Sequence, residues 1–337
     1  MLSRRAFCQN LLATIPLSTL PVACQQAQPR VSRYASRFNG VRVGSQTYSY
    51  RAFRDLSQPW SADGVDALMD RVVDGFVQNQ IDLAEFWIAM VEPSGSMVNA
   101  TGGPNRAPMD TVTRSTLRQW RRDRPLDVFE RAGQKFNDAG IEIYSCMFNF
   151  TDDLEDDEIE YAFDVARTLG TNIISANCTR ASIRRAAAFA DRHQVYVCTH
   201  SEIAPFDPAG FFDNPDGMVY ERNIVEAFDH SPFIGATLDT GHFTAYGGDV
   251  LSFVRNYHDR ILNLHLKDRL RRAEDRNDEN TPEWGKGDAP IVETLQLMRD
   301  QGYAFPACIE YEYRGTGTTV EEVQKCLDYA RDALTSA

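Results

Sequence analysis

The chain has 337 residues, 43% of them hydrophobic and 25% charged, which suits one large globular domain or two small ones. A net charge of -13 repels nucleic acid over most of the surface and argues against a DNA-processing role. Past the N-terminus no apolar run reaches the roughly 18 residues that a membrane span needs, so no transmembrane segment is expected.

Residues 1–28 stand apart from the rest. Ser3-Arg4-Arg5-Ala6-Phe7 precedes the uncharged stretch Leu11 to Ala23, the layout of a twin-arginine export signal. Leu20-Pro21-Val22-Ala23-Cys24 has the form of a lipoprotein processing box, with Pro21 irregular at its position. The expectation is an exported protein, either free in the periplasm or held to the cell envelope by lipid on Cys24; a helical or unstructured N-terminal tail is the alternative. Of the seven cysteines, Cys8 and Cys24 fall in this segment. Cys146, Cys178, Cys198 and Cys308 fall in predicted strands. An odd number in apolar surroundings predicts buried thiols rather than disulfides.

After a polar linker (25–39), residues 41–49 read as a first strand, and Ser61 caps a helix whose apolar residues recur from Val65 to Val77 at helical spacing. The second strand is 81–87. A Gly/Pro-rich stretch at 91–124 follows, read as a lid insertion over the active face, with a surface or dimer-contact insertion as the alternative. Helix 126–139 stops at Gly140, strand three is 141–149, helix 156–169 stops at Gly170, and strand four is 172–178. Then come helix 181–192, strand five (194–202), a helix near 223–228, strand six (233–239), helix 249–257, strand seven (260–268), helix 290–301, strand eight (305–313) and a closing helix, 320–334. Eight strands, each followed by a helix, predict a single (β/α)8 TIM barrel over residues 40–337. A doubly wound open sheet lacks its glycine fingerprint after strand one.

In such a barrel the chemistry sits at the C-terminal strand ends. His193, His230 and His258 precede strands, whereas His200, His242 and His265 end or follow them. Strand six closes on Asp239-Thr240-Gly241-His242, strand seven carries His265, and strand eight carries Glu310. Asp, Glu and neutral His all ligate divalent metals and move protons, so their convergence predicts a metal site. Because residues i and i+2 share a face, Asn263, His265 and Lys267 point inward together, as do Glu310 with Glu312, and Cys198 with His200 and Glu202. Glu85 ends strand two and is assigned to substrate with Glu312. A structural ion-pair network is the alternative for this cluster.

Four runs (Leu238-Asp-Thr-Gly-His242, His265-Leu-Lys-Asp268, Gly285-Lys-Gly-Asp288 and Ile309-Glu-Tyr-Glu312) resemble the xylose isomerase-like TIM barrels. These are sugar phosphate isomerases and epimerases, with ketose 3-epimerases, inosose dehydratase and endonuclease IV among them. The resemblance implies one divalent metal (Mn, Co, Zn or Mg) held by Asp239, His265, Glu310 and a residue of strand five. It implies that His242, Lys267 and one of Arg269, Arg271 or Arg272, with Arg271 chosen, face a small carbohydrate substrate. Strand five departs from the family's usual Glu: either Cys198 or His200 takes its place, and His200 is assigned as metal ligand and catalytic group beside Glu310 and Lys267.

With the strand-five Glu missing, a two-base epimerase needs His200 or Glu202 as a substitute, whereas a dehydratase or lyase of a keto-sugar or keto-glycoside needs one base. A metal-dependent isomerase or epimerase acting through an enediolate is the expected activity. A lyase and a non-catalytic sugar-binding barrel are the alternatives, and an endonuclease-like phosphodiesterase lacks a basic groove. Oligomeric state stays open.

Overall fold

The computed structural model describes residues 36–55, 60–93, 111–202, 216–271 and 281–336. The expected export signal with Cys24 lies outside these residues, as do positions 94–110 of the expected lid and Arg272.

A two-residue strand, β1 (Arg37–Phe38), pairs antiparallel with β2 (Val41–Gln46). The following strands are β3 (Leu83–Trp87), β4 (Glu142–Phe150), β5 (Ile173–Cys178), β6 (Tyr196–His200), β7 (Ile234–Asp239), β8 (Ile261–Leu266) and β9 (Ala307–Ile309). From β2 to β9 each pairs in parallel with the next, and β9 returns to β2, so the eight strands close a (β/α)8 barrel. Helices α1 (Ala62–Gln78), α2 (Thr111–Arg122), α3 (Leu126–Asp138), α4 (Asp156–Thr168) and α5 (Arg180–His193) cover the first half. Over the second half lie α6 (Glu221–Phe228), α7 (Thr240–Ala245), α8 (Val250–Tyr257), α9 (Ile291–Gln301) and α10 (Thr319–Thr335).

Local chemistry explains the boundaries. Ser61 accepts the Gly64 N–H and caps α1, while Thr179 and Thr318 open α5 and α10 with reciprocal caps from Ser182 and Glu321. Gly140 and Gly170 adopt φ of 76° and 79° just after α3 and α4, where a side chain would be strained. Outward-facing strand residues pack on the helices: Phe86 meets Phe136 and Phe129 of α3 edge-on, with centroids 5.8 and 6.3 Å apart. Each fully buried ring of this kind contributes roughly 1.5–3 kcal/mol.

Several segments differ from the sequence reading: strand one, for example, ends at Gln46, and Thr47–Phe53 forms a 3-10 helix. Strand eight shortens to Ala307–Ile309, because the Tyr311 N–H is taken by Ser49 Oγ at 3.0 Å rather than by a ladder partner. Glu310 and Glu312 therefore stand just past the strand. Residues after Asp239, given no element in the sequence reading, form a helix, α7, and α2 occupies the end of the expected lid segment. That second helix was hidden by its charge. Arg114, Arg118 and Arg121 fall on one face at helical spacing, and all three reach the buried Glu158 of α4. Arg121 also grips Glu92 through two 2.8 Å hydrogen bonds, and Trp120 packs on Trp60 with centroids 5.5 Å apart.

Removing one partner of a buried pair leaves the other charge uncompensated, so Arg121→Ala is expected to cost about 3–5 kcal/mol. Urea or guanidinium unfolding of the two proteins measures it. A cost near that of an exposed pair, under about 1 kcal/mol, would show that water replaces the guanidinium.

Candidate active site

The strand ends deliver polar side chains to the barrel axis in two layers. In the lower one Glu85 of β3 is fully buried, and five donors meet its carboxylate. Gln46 Nε2 and His265 Nε2 lie 2.8 and 2.6 Å from Oε1; Ser145 Oγ, Ser175 Oγ and Asn263 Nδ2 lie 2.8, 2.5 and 2.9 Å from Oε2. Burial alone would raise its pKa, but His265 and these donors hold it down at about 2. This corrects the assignment of Glu85 to substrate: it sits beneath His265, and its hydrogen-bonding capacity is used.

In the upper layer the pairing of β7 with β8 sets Asp239 opposite His265. His200, Asp239, His265 and Glu310, all buried, bring one ligand-type atom each to within 4.8 Å of one another. His200 Nδ1 is 2.6 Å from Asn177 Oδ1, and its Nε2 is 2.9 Å from His265 Nδ1 and 3.5 Å from Asp239 Oδ2. His265 Nδ1 is also 3.0 Å from Glu310 Oε2. Each imidazole is thus held at its outer nitrogen by an acceptor, Asn177 or Glu85, and turns the other nitrogen inward.

Cys198 is not part of this group. It lies lower on β6 beside Gly235, and burial followed by the charge of Glu85 pushes its thiol up, so it stays protonated. Of the two residues left open on strand five, His200 is the one that reaches the cluster.

Lys267 carries the central positive charge of the mouth. Its ammonium, almost fully buried, lies 3.2 Å from Asp239 Oδ2, 2.9 Å from Glu310 Oε1, 3.1 Å from Glu312 Oε2 and 3.0 Å from His242 Nε2. Burial would raise the three carboxyls, yet Lys267 drives each well below the usual carboxylate range. Burial and the same ammonium push His242 well below the ordinary histidine value, so it is a neutral imidazole accepting from Lys267 at Nε2. His265 behaves oppositely: burial would lower it, but Glu85 and Glu310 raise it to about 10.

The Asp-Thr-Gly-His run is a capping motif as well as a site. Asp239 Oδ1 accepts the His242 N–H at 2.7 Å, starting α7, which leaves Oδ2 for the cluster. Thr240 Oγ1 stitches the turn to β8 by accepting the Lys267 N–H at 3.1 Å. A Cβ on Gly241 would lie 2.9 Å from the Lys267 carbonyl, so only glycine fits.

Two further expectations change. Arg271 is exposed, and its backbone N–H donates to Asp288 Oδ2; the arginine at the mouth is Arg269, whose Nη2 donates to Glu312 Oε2 at 2.7 Å. Asp268 faces away from the site and ties down the following loop through the N–H groups of Gly285, Gly287 and Ala289. Asn177 escaped the sequence reading. The signal was there in Ser175-Ala-Asn177, polar residues two apart on an otherwise apolar strand, which alternation turns inward together.

A family model described as xylose isomerase-like TIM barrel matches residues 134–333. The chain belongs to the xylose isomerase-like TIM barrel family. No curated protein matches the sequence. Several solved structures superpose over most of this chain. The probable 3-DHS dehydratase AsbF of Bacillus anthracis is 15% identical, with a TM-score of 0.56 over 88% of this chain and 99% of its own. A D-allulose 3-epimerase from Methylomonas sp. is 12% identical, with a TM-score of 0.56 over 90% of this chain and 100% of its own. The IOLI protein, solved with a binding zinc atom, is 14% identical, with a TM-score of 0.55 over 88% and 100%. At these identities the likeness is one of fold.

The xylose isomerase-like cluster fits a divalent ion on its own geometry. Asp239 Oδ2 and Glu310 Oε2 are buried without an aligned hydrogen bond, although Lys267 and His265 nitrogens stand close to them. Two inward imidazole nitrogens and two such oxygens make a mixed donor set suited to Zn, Co or Mn. Ligation by His265 Nδ1 must displace the proton that this imidazole keeps up to about pH 10. Metal uptake is therefore expected to strengthen by about tenfold per pH unit between about 6 and 9, releasing about one proton. Calorimetry in buffers of different ionisation heat measures that release. Without metal the sign is opposite: the charged imidazole stabilises the fold below its unfolded value of 6.5, and that contribution is lost as pH rises through about 10.

Proposed function

We propose that the chain is a metal-dependent isomerase or epimerase of a small keto-sugar, working by proton transfer at the carbon beside the carbonyl. The observation that carries this reading is the meeting of His200, Asp239, His265 and Glu310 against the buried Lys267. A divalent ion held by these four residues would polarise the substrate carbonyl and offset the charge that grows on its oxygen.

The chain's own groups divide the remaining work. Glu310, ionised and fixed through Oε1 to Lys267, takes the α-proton from one face of the substrate. His200 is engaged at both nitrogens, by Asn177 and within the cluster, so the second base falls to Glu202. Glu202 follows β6, three strands round the barrel from β9, with its oxygens 3.7 Å from His200 Nδ1 and 3.9 Å from His242 Nε2. Neutral His242 keeps a ring N–H for a substrate hydroxyl, and the positive charge of Lys267 offsets the charge that grows on the substrate oxygen. Among the described residues of the mouth, Lys267 and Arg269 both face carboxylates, which favours an uncharged polyol over a sugar phosphate. The same fold serves a D-allulose 3-epimerase and a probable 3-DHS dehydratase, so the product distinguishes the two chemistries.

Incubating keto-sugars with the metal-loaded enzyme in deuterated water is expected to give a mass-shifted epimer or isomer carrying one solvent deuterium. Glu310→Gln should lower the rate by about 10²–10⁴-fold. Glu202→Gln should block the epimer while leaving deuterium exchange into recovered substrate. A dehydrated or chain-cleaved product, formed equally well by Glu202→Gln, would replace this reading with a one-base lyase.

Export through the twin-arginine signal belongs to the same proposal. A reporter fused after residue 35 should reach the periplasm, and Arg4→Lys with Arg5→Lys should retain it in the cytoplasm. Labelling by lipid at Cys24 separates an anchored form from a free one, and export unchanged by the double substitution would count against the signal.

A further inference from the structure

Glu85 stands one layer below the cluster and takes no part in the chemistry above, yet it is an ionised side chain at 0% exposure in the middle of the barrel. A buried charge of this kind is costly unless fully satisfied. Here the satisfaction is complete, and its pattern is asymmetric. Oε2 is filled by Ser145, Ser175 and Asn263, from β4, β5 and β8, while Oε1 receives Gln46 from β2 and the Nε2 of His265. Serine hydroxyls and amide NH2 groups on four strands thus fix the carboxylate, and the one acceptor direction left over points at a single imidazole nitrogen.

We propose that Glu85 is a positioning residue: it commits His265 to carry a proton on Nε2 and to present Nδ1 to the other ligands. This inference rests on the metal site of the proposed function. Were the ring turned over about its Cβ–Cγ bond, carbons Cε1 and Cδ2 would take the places of Nε2 and Nδ1, and neither Glu85 nor His200 would meet a nitrogen. The 2.6 Å contact with Oε1 and the 2.9 Å approach of Nδ1 to His200 Nε2 hold only in the present orientation. A carboxylate behind a ligating histidine also raises the basicity of the ligand nitrogen. His200 receives the weaker equivalent, the neutral carbonyl of Asn177.

Nitrogen-15 NMR of the histidine rings tests this. In the wild-type protein the His265 Nε2–H resonance is expected to persist when zinc is added, while Nδ1 moves to the shift of a coordinated nitrogen. Loss of that proton on zinc binding, or coordination through Nε2, overturns the proposal. Glu85→Gln keeps the shape and removes the charge. Its zinc affinity should fall about 10- to 100-fold, and its His265 Nε2–H should move upfield and exchange faster. The distant Arg121→Ala variant, which lowers stability without touching the site, should keep its zinc affinity within about twofold. If Glu85→Gln retains both the affinity and the resonance, Glu85 is structural only. Should the wild-type protein bind no zinc, the metal reading fails, and the Nε2–H compared between the two metal-free proteins still decides for or against Glu85. If the variant does not fold, the wild-type zinc titration decides alone.

Discussion

The mouth of this barrel depends on one buried ammonium. Asp239, Glu310 and Glu312 gather within 3.2 Å of Lys267 Nζ in a chain whose net charge is already -13. Three carboxylates so close would otherwise repel one another or take up protons. Lys267 keeps them ionised and, by the same field, keeps His242 uncharged. It has three protons for four neighbours, which share them, and Glu310 meets it through Oε1 while Oε2 turns to the cluster. The ionised state of the three carboxylates and the neutral state of His242 both follow from where that one charge sits.

The barrel was readable from sequence because its signals are local. Apolar periodicity, Ser61, Thr179 and the glycines after α3 and α4 fix the elements without knowledge of the whole. Strand alternation then pointed His265 with Lys267, and Glu310 with Glu312, toward one axis. What sequence did not carry was depth along that axis. Glu85 and His265 both face inward, but a register shift between Ala84 and Glu85 where β3 meets β4 helps set the level at which each lies, and no pattern within one strand reports it. The same limit explains Arg271. Past the last ladder bond alternation ends, and the turn that swings Arg269 inward is set by Asp268 anchoring backbone N–H groups nearly twenty residues later.

Two motifs proved to have two jobs. In Asp239-Thr-Gly-His242 one carboxylate oxygen starts a helix and the other serves the cluster, so the site residue and the fold residue are the same atom group. In His265-Leu-Lys-Asp268 the first and third residues, His265 and Lys267, serve the site, while Asp268 serves the loop. A spacing that looks like a ligand pattern is also the spacing that a helix cap requires.

The grip of Arg121 on Glu92 has a consequence for how such a barrel can diversify. Glu92 ends the chain's departure from β3 and Arg121 sits on its return, so the two-point contact joins both ends of whatever lies between. With that junction closed by the barrel side, lengthening the intervening stretch adds only a slowly growing loop-closure entropy. The buried ionic junction thus fixes where the chain leaves β3 and where it returns in α2, independently of the length of chain that joins the two.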